Sequence, residues 1–230
     1  MTLTRRTISG ISIIIPTLNE RGNIALQASA LANSGCEVIV VDGGSGDGTV
    51  ETAEKAGFTV FSSPPGRARQ LNLGARAAAG GILLFLHADT RLPSGFASTV
   101  IAALHDSGCS VGAFRLTIDE PTPALRFIAC CANLRSRLLH LPYGDQALFT
   151  TRDIFAKAGG FAELAIMEDF LFVKKAQKLG SVLITEDYVT TSARRWKRKG
   201  ILRTTMINQV MVAGYYLKIP PEKLALLYDR

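Results

Sequence analysis

The chain has 230 residues, 47% hydrophobic and 20% charged, enough to bury the core of one ordinary domain without disulfides or metal staples. No low-complexity tract, charge block or internal repeat interrupts it, which excludes disordered, fibrous and solenoid proteins. A net charge of +7 points to a phosphorylated or polyanionic partner, and the basic residues are densest at Arg194, Arg195, Lys197, Arg198 and Lys199, around the only tryptophan, Trp196.

Near the start, Arg5-Arg6 and the apolar residues after it have the outline of an export signal. The run stops at Pro16 with no small-residue cleavage site, so a cytoplasmic protein is expected. Ile11 to Ile15 and Glu37 to Val41 then read as strands rich in β-branched residues, separated by a helix over Asn23 to Asn33. A helix over Thr49 to Ala56, a strand over Thr59 to Phe61, a helix over Ala68 to Ala79 and a strand over Ile82 to Leu86 continue the alternation. This order predicts an α/β fold with an open, mostly parallel sheet covered by crossover helices on both faces. Ligands of such sheets bind beyond the carboxyl ends of the strands, which places Pro16 to Glu20, Asp42 to Thr49 and His87 to Thr90 around one cleft.

The second half is less regular. Helices are predicted over Pro123 to Leu139, Arg152 to Ala158, Asp169 to Leu179 and Leu202 to Leu217, with strands near Val111 to Ile118, Ala147 to Phe149 and Val182 to Ile184. Arg203, Thr204, Thr205, Asn208 and Gln209 interrupt the last apolar stretch, so no transmembrane span is expected, and peripheral contact with the inner membrane face stays open. Cys36, Cys109, Cys130 and Cys131 form no C-x-x-C pair and read as reduced core residues. The expectation is one domain over 1–230, with a nucleotide half over about 1–92, an acceptor half over about 93–200 and C-terminal helices beyond.

Several segments carry groups suited to chemistry, each with a structural alternative. Asp42-Gly43-Gly44-Ser45-Gly46-Asp47-Gly48-Thr49 allows close backbone approach and offers side chains for a base and ribose, or it caps the next helix. Arg67 and Arg69 open a helix, where a diphosphate or plain solvent would suit them. Asp89 ends a buried strand, where a carboxylate can hold Mg2+ or Mn2+ or cap a turn before Pro93. Glu168 and Asp169 start a helix whose dipole keeps a base deprotonated, or they are ordinary N-terminal acids. Arg194, Arg195 and Trp196 suit a departing diphosphate beside an indole wall, or form a solvated basic loop.

In this order, Ile14-Ile15-Pro16-Thr17-Leu18-Asn19-Glu20, Val40-Val41-Asp42 through Thr49, Asn72-Leu73-Gly74-Ala75, His87-Ala88-Asp89 and Glu168-Asp169 resemble the family 2 inverting glycosyltransferases of GT-A, Rossmann-like fold. Pro65 to Gln70, Tyr143-Gly144-Asp145-Gln146 and Thr191 to Trp196 are similar to a bacterial subgroup linked to selenium or radical-SAM loci and arsenosugar biosynthesis.

The resemblance implies a nucleotide-diphosphate sugar as donor, a UDP-sugar favoured, and a small-molecule or lipid-linked acceptor. Pro16, Thr17, Glu20, Asp42, Ser45, Arg69, Asn72, His87 and Asp89 would then bind donor, and Asp89 would hold the cation. Asp169 would be the general base with Glu168 beside it; Arg195 would serve the diphosphate, and Asp145, Gln146, Arg194 and Trp196 the acceptor side. Gly43 and His87 stand where many members carry Asp, which leaves the cation site one carboxylate short. A sugar-phosphate nucleotidyltransferase would need a glycine- and basic-rich loop after the first strand, which is absent. A nucleotide-sugar or nucleic-acid binding module is the other alternative; nucleic acid is not expected, since Asp89 and Asp169 have no evident use in it.

Overall fold

The computed structural model describes residues 10–105, 108–120, 122–164, 166–217, 219 and 224; the Arg5-Arg6 segment and most positions beyond Leu217 lie outside them. Eight strands form one sheet in the order β3-β2-β1-β4-β7-β6-β8-β5. The strands are β1 (Ile11–Thr17), β2 (Glu37–Asp42), β3 (Thr59–Ser62), β4 (Ile82–Phe85), β5 (Thr90–Arg91), β6 (Cys109–Ile118), β7 (Phe149–Thr151) and β8 (Ser181–Thr191). The first four pair in parallel, β7 inserts antiparallel between β4 and β6, and β6 pairs with β8 in parallel.

Burial on both faces explains the near-continuous apolar strands. Ile11, Ile13 and Ile15 point into one core layer with Ile24 and Leu31 of α1 (Arg21–Leu31) and Ala53 of α2 (Thr49–Lys55). Ile14, Ile39 and Val41 point into the other, against Leu71 of α3 (Arg67–Ala77) and an aromatic group of Phe85, Phe155, Phe161 and Phe172. The period of two along β1 thus feeds both layers from one strand.

The expected strand and helix alternation is present through β4, with three additions. β1 runs through Pro16 to Thr17 because β4 pairs only as far as Ile14, so beyond it β1 meets β2 alone and a residue without an N–H fits. A helix, α4 (Phe96–His105), occupies a stretch for which the sequence predicts no element, and β8 is far longer than Val182 to Ile184. Polar residues hid β8: Glu186, Asp187 and Tyr188 face solvent beside a shift of register against β6.

The remaining helices are α5 (Pro123–Leu139), α6 (Arg152–Lys157), α7 (Glu168–Ala176), α8 (Arg194–Lys199) and α9 (Ile201–Tyr216). A helical turn over Gly144–Gln146 precedes β7. Where the sequence suggests a basic loop after β8, the chain forms α8, whose Trp196 packs with Leu125 and Ala129 of α5 in a separate small core. Among the described residues, no helix is long and apolar enough to cross a membrane.

Candidate functional site

A cleft of about 850 Å³ opens beyond the carboxyl ends of β1 and β4, lined by residues from β1, α3, the β4–β5 loop, the turn before β7, the start of α7, and α8. Pro16, Thr17, Glu20, His87, Asp89, Asp145, Asp169, Arg194, Arg195 and Trp196 all reach it. Residues separated by most of the chain therefore meet in one place.

The loop after β2 supports this cleft rather than lining it. Asp42 is 3% exposed, and its two oxygens accept from the N–H groups of Gly44 and Ser45 and the hydroxyls of Ser45 and Thr17. Burial pushes its carboxyl up, but those hydrogen bonds outweigh burial and hold it below the usual carboxylate value. Ser45 Oγ also accepts from Asn19 N at 2.7 Å, and Thr49 Oγ1 from Glu20 N at 2.9 Å, so one loop is knitted to the other. Both Asp42 and Ser45 thus hold loop structure where the sequence suggests direct ligand contact.

Gly43, the first departure from the family pattern, has a local cause. A Cβ there would lie 3.2 Å from Gln70 Nε2 and 3.3 Å from Thr17 O. Gln70 is buried and donates to the carbonyls of Thr17 and Val41, so the space an acidic side chain would enter is already filled.

On α3 the two arginines part company. Residues two apart on a helix point to different sides. Arg67 enters the cleft and pairs with Glu168 at 3.1 Å, while Arg69 points away to Glu163 at 3.5 Å. Asn72 is also outside the cleft, exchanging hydrogen bonds with the backbone of Phe161. Arg67 lines the cleft although the resemblance gave it no role; its place as first residue of a helix after Pro65-Gly66 was the available signal.

At the strand end, burial and the nearby Arg67 and Arg195 depress the His87 imidazole to about 3, so it is neutral at physiological pH. Burial raises the Asp89 carboxyl; Arg194 opposes that shift and Glu20 adds to it. One nitrogen of Arg194 lies 2.5 Å from Glu20 Oε1 and 3.8 Å from Asp89 Oδ2. Two carboxylates therefore already converge on one positive charge, as hard oxygen ligands of a divalent cation must. Among the described residues no group of three or more ligating side chains exists, so the residues fit a cation completed by phosphate oxygens and water, not a closed protein site.

The far wall rests on α7. Met167, at φ 66°, turns the chain in the left-handed region immediately before Glu168, a strained position that aims the helix start at the cleft. Asp169 Oδ2 accepts from Gly144 N at 2.6 Å and Oδ1 from Phe170 N at 2.7 Å. Glu168 is 1% exposed and turned toward Arg67, with burial raising its carboxyl against that arginine's pull. Glu168 is thereby a structural partner of Arg67 and does not line the cleft. Gly144 must lack a side chain: a Cβ would sit 2.9 Å from His87 Nε2 and 3.2 Å from Asp169 Oδ2.

Asp145 lines the cleft with Oδ1 buried and without a hydrogen-bond partner; burial raises its carboxyl, Arg135 opposing and Asp169 reinforcing the shift. Gln146 is corrected from the acceptor side to a buried brace. It is 0% exposed, accepts from Ser136, Arg135 and Tyr143 N, and donates to Phe114 O.

A family model described as glycosyl transferase family 2 matches residues 12–162, well over half the chain. A mannosyltransferase from Pyrobaculum calidifontis, solved with GDP-Man and Mn2+, superposes with a TM-score of 0.65 at 19% identity over 86% of this chain; the match spans 63% of that protein's length. Glucosyl-3-phosphoglycerate synthase from Mycobacterium tuberculosis, solved with Mn2+, UDP and glucosyl-3-phosphoglycerate, gives 0.62 at 20% identity, covering 91% of this chain and 85% of that one. The same synthase with Mg2+ and UDP gives 0.60 at 20% identity, covering 88% and 78%. None of the curated proteins matches the chain. The solved relatives share the curled, mostly parallel α/β sheet.

Proposed function

The chain belongs to glycosyltransferase family 2, and from that premise we propose that it transfers a sugar from a nucleotide-diphosphate donor to an acceptor hydroxyl with inversion, assisted by Mg2+ or Mn2+. One observation carries the reading: Asp89, Arg195 and Asp169 face one cleft although they come from the β4–β5 loop, α8 and α7. The structural relatives were solved with GDP-Man or UDP and with Mn2+ or Mg2+, which supports a nucleotide donor and a hard cation; a UDP-sugar is the first donor to test.

Pro16, Thr17 and Glu20 bind the nucleotide side of the donor, on a loop that Asp42 and Ser45 keep rigid. Asp89, with Glu20 close by, holds the cation, which when bound neutralises phosphate charge on the leaving group. Arg195 and Arg67 add fixed positive charge to the same cleft, and neutral His87 adds none. Asp169, fixed by the Gly144 N–H at the start of α7, takes the proton from the acceptor hydroxyl as its oxygen attacks the anomeric carbon and the C–O bond to the diphosphate breaks. Asp145 and Trp196 form the acceptor side, and Arg194, expected there from the resemblance, stands instead between Glu20 and Asp89 on the diphosphate side. Residues about 1–92 act as donor half and about 93–200 as acceptor half of one domain. The Pro65–Gln70, Tyr143–Gln146 and Thr191–Trp196 motifs support placement in the subgroup tied to selenium, radical-SAM and arsenosugar loci.

Asp169→Asn tests the mechanism. Turnover should fall about 10²- to 10⁴-fold while binding of nucleotide and Mn2+, measured by calorimetry, stays within a few-fold. Turnover equal to wild type removes Asp169 as the base. Nucleoside diphosphate released only when acceptor is supplied separates a transferase from a binding module.

A further inference from the structure

We propose that the outward faces of α5 and α9 dock this protein onto an anionic lipid bilayer. α5 turns Leu125, Ala129 and Ser136 toward the body of the protein. On its opposite side Phe127, Cys131, Leu134 and Leu138 follow one another at helical spacing, the three large residues being 69%, 56% and 67% exposed. A helix resting on a core ordinarily presents polar residues to solvent, and α5 does the reverse.

α9 packs against α5 and repeats the pattern, with Met206, Val210 and, just past its end, Leu217 at 67%, 45% and 73% exposure. Two adjacent helices, the longer about 25 Å by its residue count, thus present apolar stripes to the outside. The face is too extensive to be a scatter of single surface hydrophobes.

Charge selects the occupant. Neither the α5 segment 123–139 nor the stretch 194–217 contains an aspartate or glutamate. Exposed Arg126 and Arg137 lie along one flank of the α5 stripe, and Arg198 and Arg203 extend the basic rim; Lys197 is partly neutralised by Glu120. An antiparallel pairing of α5 with its copy about a two-fold axis would bring Arg126 and Arg137 against their equivalents. An interfacial helix pair needs this combination: apolar residues to enter the acyl boundary and cations to meet lipid phosphates. Trp196 and Met211, buried on the inner side of this helical layer, also line the cleft, so docking would hold the cleft beside the bilayer. That consequence, an acceptor presented from the bilayer, rests on the transferase reading; docking itself does not.

The test is flotation of the full chain with vesicles of phosphatidylcholine alone or with about one third phosphatidylglycerol. The protein should float with the anionic vesicles only, and less at high salt. Phe127→Glu combined with Leu138→Glu should abolish flotation, and Arg126→Gln and Arg137→Gln should each weaken it about fivefold. Because all four side chains are exposed, thermal unfolding of the variants should match wild type and separates lost docking from lost fold. The proposal is overturned if the wild type stays unbound, if neutral vesicles capture it equally, or if the double variant floats unchanged. A concentration-dependent dimer that Phe127→Glu dissolves, without any vesicle binding, would assign the face to a second copy. No sugar transfer is read, so failure here leaves the enzymatic reading standing.

Discussion

On the strand-end side of the cleft the polar groups of Thr17, Asn19, Asp42, Ser45 and Thr49 are hydrogen-bonded to one another, whereas on the far side Asp145 Oδ1 and Trp196 Nε1 are buried without such partners. Two arginines span the gap, Arg67 from α3 to Glu168 and Arg194 from α8 to Glu20 and Asp89, while Arg69 pairs with Glu163 outside the cleft. A wall whose groups satisfy one another is preorganised for a ligand. The opposite wall is held by charge across an open cleft, and its polar groups still have bonds to make when ligands arrive.

The largest expected effect lies where the walls touch. Gly144→Ala drives a methyl group toward His87 and Asp169, and displacement of a reacting group by a fraction of an ångström can cost about 10²-fold in rate. We expect turnover to fall by about that factor, with nucleotide affinity by calorimetry little changed, since Gly144 stands outside the loops proposed to hold the nucleotide. Wild-type turnover would show that Asp169 does not depend on this close approach.

The cross-ties come next. Arg67→Met leaves Glu168 buried and unpaired, which costs 3–5 kcal/mol for a fully buried pair; the Arg67 side chain is 46% exposed, so about 2 kcal/mol is expected. Arg69→Met, two residues on, breaks a pair exposed at both ends and should cost under about 1 kcal/mol. Urea midpoints of the two variants give the comparison directly, and equal losses would contradict it.

His87 supplies a pH signature. The unfolded chain takes up its proton below about 6.5, the folded one only near 3, so stability falls as pH drops through that window. The slope from this group is at most about 1.4 kcal/mol per pH unit. His87→Gln should flatten the stability curve between pH 6.5 and 3 and run parallel to wild type above it, as followed by urea unfolding at stepped pH.

The same contrast between walls explains what could be read from the sequence. Parallel strands buried on both faces announce themselves as apolar runs, and the residue after each run is delivered to the cleft, which is why Pro16, Thr17, Glu20, His87 and Asp89 were legible. Whether a loop residue faces ligand or its own backbone is not periodic, so Asp42 and Ser45 could not be told from contact residues. Arg69 and Asn72 were misplaced for a related reason: the helix start was clear, but its rotation about the axis depends on packing against Ile14 and Val41 of the sheet. α8 was hidden because RRWKRK carries a single apolar residue, Trp196, and that residue's burial is created by α5 from seventy positions earlier in the chain, give or take a turn.

The smallest effect tests whether Arg194 competes with a cation for the strand-end carboxylates. Arg194 stands between Glu20 and Asp89, so a cation approaching without donor must compete with a guanidinium for both carboxylates. The Arg194 side chain is 54% exposed, which screens its pairs with the less exposed Glu20 and Asp89, and screened pairs are worth about 0.2–1 kcal/mol. Arg194→Gln should therefore raise donor-free Mn2+ affinity by no more than about fivefold, read from the free-ion signal in electron paramagnetic resonance. With donor present the sign should reverse, because the diphosphate then loses a positive neighbour that the cation does not replace. Parallel changes with and without donor would mean that Arg194 fixes the strand-end carboxylates in place and does not compete for them.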